Sequence, residues 1–291
     1  MTEIVVGVDG SEVSLHAVSW AAREAVLHER PLRIAHALQS WLYEMPNHSP
    51  HAQVGQWARE DAARMLDDAA AHAHQEAVTA KIATELLPGD ARPALLKLAE
   101  QASMLVVGGR GEGGFAGLLL GSVAHGVASR SKCPVVVVQG PVKDGARDVV
   151  VGVDDSQSSR RAVEAAFAEA SARRVTVRVV YAWRETSWAT RGALPPSRRA
   201  IQLAGALLSE EAAHQLLASS VAGVLTRYPH VDIIEHLGEG HPADVLIRAS
   251  ADAGLLVVGR RGGGGFPGLR LGSISRGVLH HAQCPVMIVP D

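Results

Sequence analysis

The chain has 291 residues, 47% of them hydrophobic and 20% charged, which is about twice the length of one domain and apolar enough to bury a core; disorder is excluded. Its formal net charge of −2 gives no reason to expect nucleic acid or an anionic membrane as a partner. Two cysteines, Cys133 and Cys284, are too few for a disulfide framework, and no apolar run approaches the roughly 20 residues of a membrane span.

The sequence opens Met1-Thr2-Glu3-Ile4-Val5-Val6-Gly7-Val8-Asp9 without a basic leader and reads at once as a strand, so a cytoplasmic location is expected. Residues 4–8 are β-branched and end at Asp9-Gly10-Ser11, as a fully buried strand would. Ser11 is placed to N-cap a helix running to about residue 28, with Val13, Ala17, Trp20, Ala21 and Glu24 outlining its two faces. A strand over 32–38, an Ala-rich helix over 52–80 and a strand over 81–87 follow. Pro93 then suits the first turn of a helix to about residue 101. A strand over 104–107, a helix over 122–131 and a strand over 135–138 complete the unit.

The same order then recurs, with strands expected at 149–153, 175–181, 231–235, 255–258 and 286–289. Residues 105–139 align with 256–290 at 20 of 35 identical positions, and Ile4-Val5-Val6-Gly7-Val8-Asp9-Gly10-Ser11 aligns with Val149-Val150-Val151-Gly152-Val153-Asp154-Asp155-Ser156. A period near 150 residues is a duplicated domain rather than a solenoid. The expected domains are 1–139 and 148–291, joined by the polar, Gly/Pro-punctuated linker 140–147. Alternating strand and helix predicts an α/β fold: two tandem Rossmann-like, doubly wound domains, each a five-stranded parallel sheet with helices on both faces. Ligands of such sheets lie beyond the carboxyl ends of the strands. In isolation 135–138 and 286–289 would be bare apolar edges, so antiparallel pairing of these last strands into a pseudo-two-fold unit is expected.

After the fourth strand each copy carries Gly-x2-Gly-x9-Gly-Ser: Gly108, Gly111, Gly121 and Ser122, then Gly259, Gly262, Gly272 and Ser273. Glycines let backbone N–H groups approach a polyphosphate, and the Gly-Ser pair opens a helix whose free N–H groups suit an anion. Arg110 and Arg261 lie inside the loops and add charge. The competing reading, a ligand-free loop with a capping serine, is weakened because the pattern occurs twice. Residues 109–114 match G-x-G-x-x-G by letter, but no helix starts within them and Arg260 breaks the counterpart, which disfavours NAD and FAD. No P-loop signature occurs.

Together with Val-Gly-Val-Asp-x-Ser at the start of each copy and Cys-Pro-Val before each last strand, this pattern resembles the universal stress protein family in its tandem form, over nearly the whole chain. The resemblance implies the strand order 3-2-1-4-5, ATP with Mg2+ at the strand ends, dimers built through the last strands, and a further homodimer of chains. It places the first-strand aspartate on Asp9 and Asp154, its preceding glycine on Gly7 and Gly152, and the residue beside the adenine on Ala37 and Ala182. The candidate ATP set in the first copy is thus Gly7, Asp9, Ala37, Gly108, Arg110, Gly111, Gly113, Gly114, Gly121, Ser122 and Val123. In the second it is Gly152, Asp154, Ala182, Gly259, Arg261, Gly262, Gly264, Gly265, Gly272, Ser273 and Ile274. For Asp9 and Asp154 the alternative is a purely local turn.

Fourteen histidines lack metal-binding spacing: His72-x-His74 and His280-His281 have no matching acid, and no protein-held metal is expected. Cys133 and Cys284 read as small buried hydrophobes. Trp41, Tyr43, Trp57, Trp183 and Trp188 gather after the second strand of each copy, in 39–56 and 184–197, and fit a lid over the adenine, a partner surface or a packed loop alike. The resulting expectation is an ATP-binding stress regulator that signals through occupancy. A slow ATPase, a scaffold with structural nucleotide, and cyclic AMP in place of ATP are the alternatives.

Overall fold

The computed structural model of the chain describes residues 2–46, 48, 51–111, 120–141, 148–183, 210–263 and 270–291. In the first copy the elements run β1 (Ile4–Gly7), α1 (Glu12–Leu27), β2 (Leu32–Leu38), α2 (Ser40–Tyr43), α3 (Ala52–Glu76), β3 (Ile82–Pro88), α4 (Ala91–Ala99), β4 (Met104–Gly108), α5 (Ser122–Ala128) and β5 (Val135–Val138). The second copy runs β6 (Val149–Val153), α6 (Gln157–Arg173), β7 (Val177–Trp183), α7 (Glu210–Leu225), β8 (Ile233–Glu239), α8 (Pro242–Ala249), β9 (Leu255–Gly259), α9 (Ser273–His281) and β10 (Val286–Val289).

Each copy forms a parallel sheet in the order 3-2-1-4-5, and the two sheets are one: the strand order is β3-β2-β1-β4-β5-β10-β9-β6-β7-β8. The single antiparallel step is the join, where Val286 faces Val137 and Ile288 faces Val135. All four residues of β5 and of β10 are buried, so the two apolar edges cover one another. Alternation along these strands feeds two cores. Val136, Val138, Met287 and Val289 join the core beneath α1, α3, α6 and α7, while Val135, Val137, Val286 and Ile288 join the one beneath α4, α5, α8 and α9. Each core runs through both copies.

Ser11 caps α1 by accepting from the Ser14 N–H (3.2 Å), and Ser156 caps α6 by accepting from Ser159 (3.0 Å). Several boundaries differ from those read in the sequence. α3 stops at Glu76, with Ala77 as its C-cap, short of residue 80. α4 starts at Ala91 because Asp90 caps it through the Arg92 N–H, which leaves Pro93 within the first turn. α5 ends at Ala128. β7 and β8 both start two residues later than expected, together in the register Val177↔Ile233, and β8 runs on to Glu239. The stretch after β2, read as irregular, holds the one-turn helix α2. Cys133 and Cys284 are buried and not joined in a disulfide, and burial pushes the Cys133 thiol up. The His72 imidazole bonds the Ser19 hydroxyl at 2.7 Å.

Glu24, read in the sequence only as one of five residues outlining the two faces of α1, is 3% exposed. It meets α6 of the other copy, where Arg173 donates to both Glu24 oxygens (2.7 and 2.8 Å) and to Glu169 (2.9 Å). The guanidinium carbon also lies 5.8 Å from the centre of the Trp20 ring. His28 stands 3.4 Å from both carboxylates. Glu24 and Glu169 occupy equivalent places in the two copies, as do His28 and Arg173, so the cluster straddles the pseudo-two-fold axis. Glu24, His28 and Glu169 are near enough to share a cation, but the Arg173 guanidinium already fills that role.

Candidate functional site

In each copy the strand ends open into a cavity bounded by the turn after the first strand, the end of the second, and the glycine loop. The first has a volume of about 470 Å³, within the roughly 300–1,000 Å³ of small-molecule sites. Gly7, Asp9, Ala37, Gly108, Arg110, Gly111, Gly121, Ser122 and Val123 all line it. The second, about 170 Å³, is lined by Gly152, Asp154, Ala182, Gly259, Arg261, Gly262 and Ile274; Gly272 and Ser273 are not in its wall. Gly113, Gly114, Gly264 and Gly265 lie outside the described residues, as do Trp188 and linker residues 142–147.

The aspartates do more than hold a local turn. Asp9 Oδ1 accepts from the Ser11 N–H (3.2 Å) and hydroxyl (2.7 Å), and Asp154 Oδ1 repeats this with Ser156 (3.1 and 2.6 Å). The other oxygen faces the glycine loop: Asp154 Oδ2 accepts from the Gly263 N–H at 3.0 Å. A Cβ at Gly111 would strike Asp9 Oδ2, and one at Gly262 would lie 2.5 Å from Asp154 Oδ2. At Gly108 it would press on the first turn of α1, 3.2 Å from the Ser14 nitrogen. These glycines are therefore needed for the loop to seat against the strand-one turn, a reason separate from access by a ligand.

The loops close in the same way, with the Gly121 N–H donating to Gly109 O (2.7 Å) and the Gly272 N–H to Arg260 O (2.9 Å). Gly121 and Gly272 are the N-caps of α5 and α9, and neither helix has a side-chain cap. In contrast to α1 and α6, the first-turn N–H groups here are left for another acceptor. Several lining residues were not singled out in the sequence: Ala35, Leu95 and Ala124 in the first copy, with counterparts Val180, Leu246 and Ser275 in the second. Ser14 and Ser159 also line the two walls. The repeat itself was the signal that could have found them, once the alignment was carried through every strand end.

A sequence model of the universal stress protein family matches residues 1–139 and again 145–290. The chain belongs to the universal stress protein family. A universal stress protein of Mycobacterium tuberculosis is 34% identical over 303 residues, covering 99% of this chain and 96% of the relative. One from Mycolicibacterium smegmatis is 34% identical over 292 residues, covering 98% and 96%. The crystal structure of a universal stress protein from Archaeoglobus fulgidus superposes with a TM-score of 0.70 at 19% identity, over 99% of this chain and 98% of that one, and shares the fold.

Within this tandem universal stress protein the two cavities differ in size for visible reasons. Where the first has Ala35, Ala91 and Val123, the second has Val180, Pro242 and Ile274, and each change adds carbon to the wall. The loop arginines differ as well. Arg261 bonds Asp291 Oδ2 through Nε (2.8 Å) and Nη2 (2.5 Å), and Arg260 joins the same oxygen at 2.9 Å. Burial raises the Asp291 carboxyl, but Arg260 and Arg261 outweigh it and hold it below the usual carboxylate range. The first copy has Gly109 and Gly140 at the positions of Arg260 and Asp291, and Arg110 has no ion pair among the described residues.

Proposed function

We propose that each copy binds ATP with Mg2+, and that this universal stress protein acts as a regulator through nucleotide occupancy, with the first site the tighter. What carries the reading is a pair of strand-end cavities, each beside an uncapped helix start and a glycine loop seated on an aspartate. Adenine would enter beside Ala37 or Ala182, the ribose would face Asp9 or Asp154, and the phosphates would meet the loop and helix N–H groups, with Arg110 or Arg261 adding charge. Gly113, Gly114, Gly264 and Gly265 extend the proposed loops. Fast hydrolysis requires an oriented water and a group to place it. The only acid of the first loop, Glu112, is Gly263 in the second, so no general base is shared.

The test is calorimetry on nucleotide-free protein, with mass spectrometry of any molecule that co-purifies. Two ATP sites of unequal affinity are expected, each lost singly on replacing Gly121 or Gly272 by leucine. Recovery of cyclic AMP, NAD or a flavin would refute ATP as the ligand. Turnover near an ordinary enzyme rate of about 10 per second, abolished by Glu112→Gln, would replace the regulator by an enzyme.

A further inference from the structure

A second groove, of about 560 Å³, lies at the seam between the copies, on the face of the sheet that carries α4, α5, α8 and α9. Among the described residues its charged lining is one-signed: Arg92 and Arg130 come from the first copy, Arg270 and Arg276 from the second, with His125 and His280 between them, and no carboxylate lines it. In a chain of net charge −2 this is a strong local excess. Among the described residues Arg130, Arg270 and Arg276 have no ion pair, and Arg92 has only a loose one to Asp90 at 3.7 Å. One of these cations is also positioned: the Arg92 stem crosses α5 at Gly126, where a Cβ would come within 2.6 Å of its Cδ. The groove leads to Gly121 and Ser122, which it shares with the first strand-end cavity.

We propose that this seam groove binds a phosphate-chain anion, held by arginines from both copies. Arginine forks suit phosphate oxygens. Cations drawn from two domains match a chain of phosphates better than a single anion, since each exposed pair contributes only about 1 kcal/mol in water. The surroundings of His280 agree in sign. Burial first, then His281, Arg276 and His125, hold its imidazole below the ordinary range, as expected where positive charge accumulates. The groove adjoins the first nucleotide cavity and shares Gly121 and Ser122 with it, but it needs neither Asp9 nor Gly111. Its phosphate chain has two conceivable sources, a free inorganic polyphosphate or the tail of a nucleotide seated in the adjoining cavity.

The experiment is calorimetric titration of the full-length, nucleotide-free chain with inorganic tripolyphosphate, with AMP titrated in parallel. Saturable binding is expected, weakened at least about tenfold in the double variant Arg130→Ala/Arg276→Ala and by raising ionic strength well above roughly 0.1 M. AMP binding should be unchanged in that variant, and tripolyphosphate binding should survive Gly111→Ala. If tripolyphosphate still titrates into ATP-saturated protein, the groove takes a free chain; if ATP excludes it, the nucleotide tail fills the groove. No saturable tripolyphosphate binding, binding unaffected by the double variant, or loss on Gly111→Ala would overturn the proposal. Because tripolyphosphate carries no nucleoside, absence of AMP and ATP binding would refute the nucleotide reading and leave this test intact.

Discussion

At the scale of single residues, one added methyl group is enough to disturb either loop. Gly111→Ala drives a carbon into the Asp9 carboxylate, and Gly262→Ala does the same at Asp154. We expect each substitution to weaken nucleotide binding at its own site by at least about tenfold, or 1.4 kcal/mol, with the other site unchanged; calorimetry on both variants checks this. The narrow second cavity offers the opposite experiment. Val180→Ala combined with Pro242→Ala and Ile274→Val gives the second cavity the first copy's residues at these three wall positions and should raise second-site affinity toward that of the first, whereas an unchanged affinity would mean that wall volume does not set the difference. The glycine positions could be read from the sequence because a two-fold repeat of Gly-x2-Gly-x9-Gly-Ser is hard to reconcile with random loops. The capture of Arg261 by Asp291 could not, since it joins residues that approach only once β9 and β10 pair.

Among elements, the meeting of α1 and α6 governs the response to pH. His28 is raised from 6.5 to about 9, first by its hydrogen bond to Glu169 and then by that to Glu24. A raised folded value means stability that is complete below about 6.5 and lost as pH climbs through about 9. At about 1.4 kcal/mol per unit, the upper bound is about 3.5 kcal/mol. Burial pushes the Glu24 carboxyl up, but His28 and Arg173 outweigh it and hold it below the usual range. Its contribution is therefore present above 4.5 and lost as pH falls through the lowered value. Urea unfolding should show stability declining between pH 6.5 and 9, a slope that His28→Ala flattens. Arg173→Ala should be worse wherever the two carboxylates are ionised, by about 3–5 kcal/mol, because they lose their shared cation. Periodicity marked Glu24 only as one of the residues outlining the faces of α1, with no sign of the helix it packs on. Its partner Arg173 stands 149 positions away, beyond the reach of any local pattern.

For the whole molecule, the parallel sheets followed from alternation and the antiparallel join from the duplicated motif and the cost of a bare apolar edge, whereas the order of strands was implied by the family resemblance alone. Element ends were less legible, because caps such as Asp90 and the register of β7 with β8 decide them. The join predicts that residues 1–139 produced alone will dimerise through β5; light scattering giving a monomer with β5 uncovered would contradict it. Two occupied sites should each add about 2.7 kcal/mol at a hundredfold excess over Kd, raising the melting temperature by several degrees at about 2–4 °C per kcal/mol. An unchanged melting curve with ATP would count against binding altogether. The pairing of His28 with Arg173 across the axis has one more consequence. In a dimer of identical chains a single codon change alters both sides of the axis at once, so histidine could never face arginine there. Here each side is inherited separately. One half can keep a roomy cavity while the other narrows, and a proton-labile cation can sit opposite a permanent one, which makes division of labour between the halves reachable one mutation at a time.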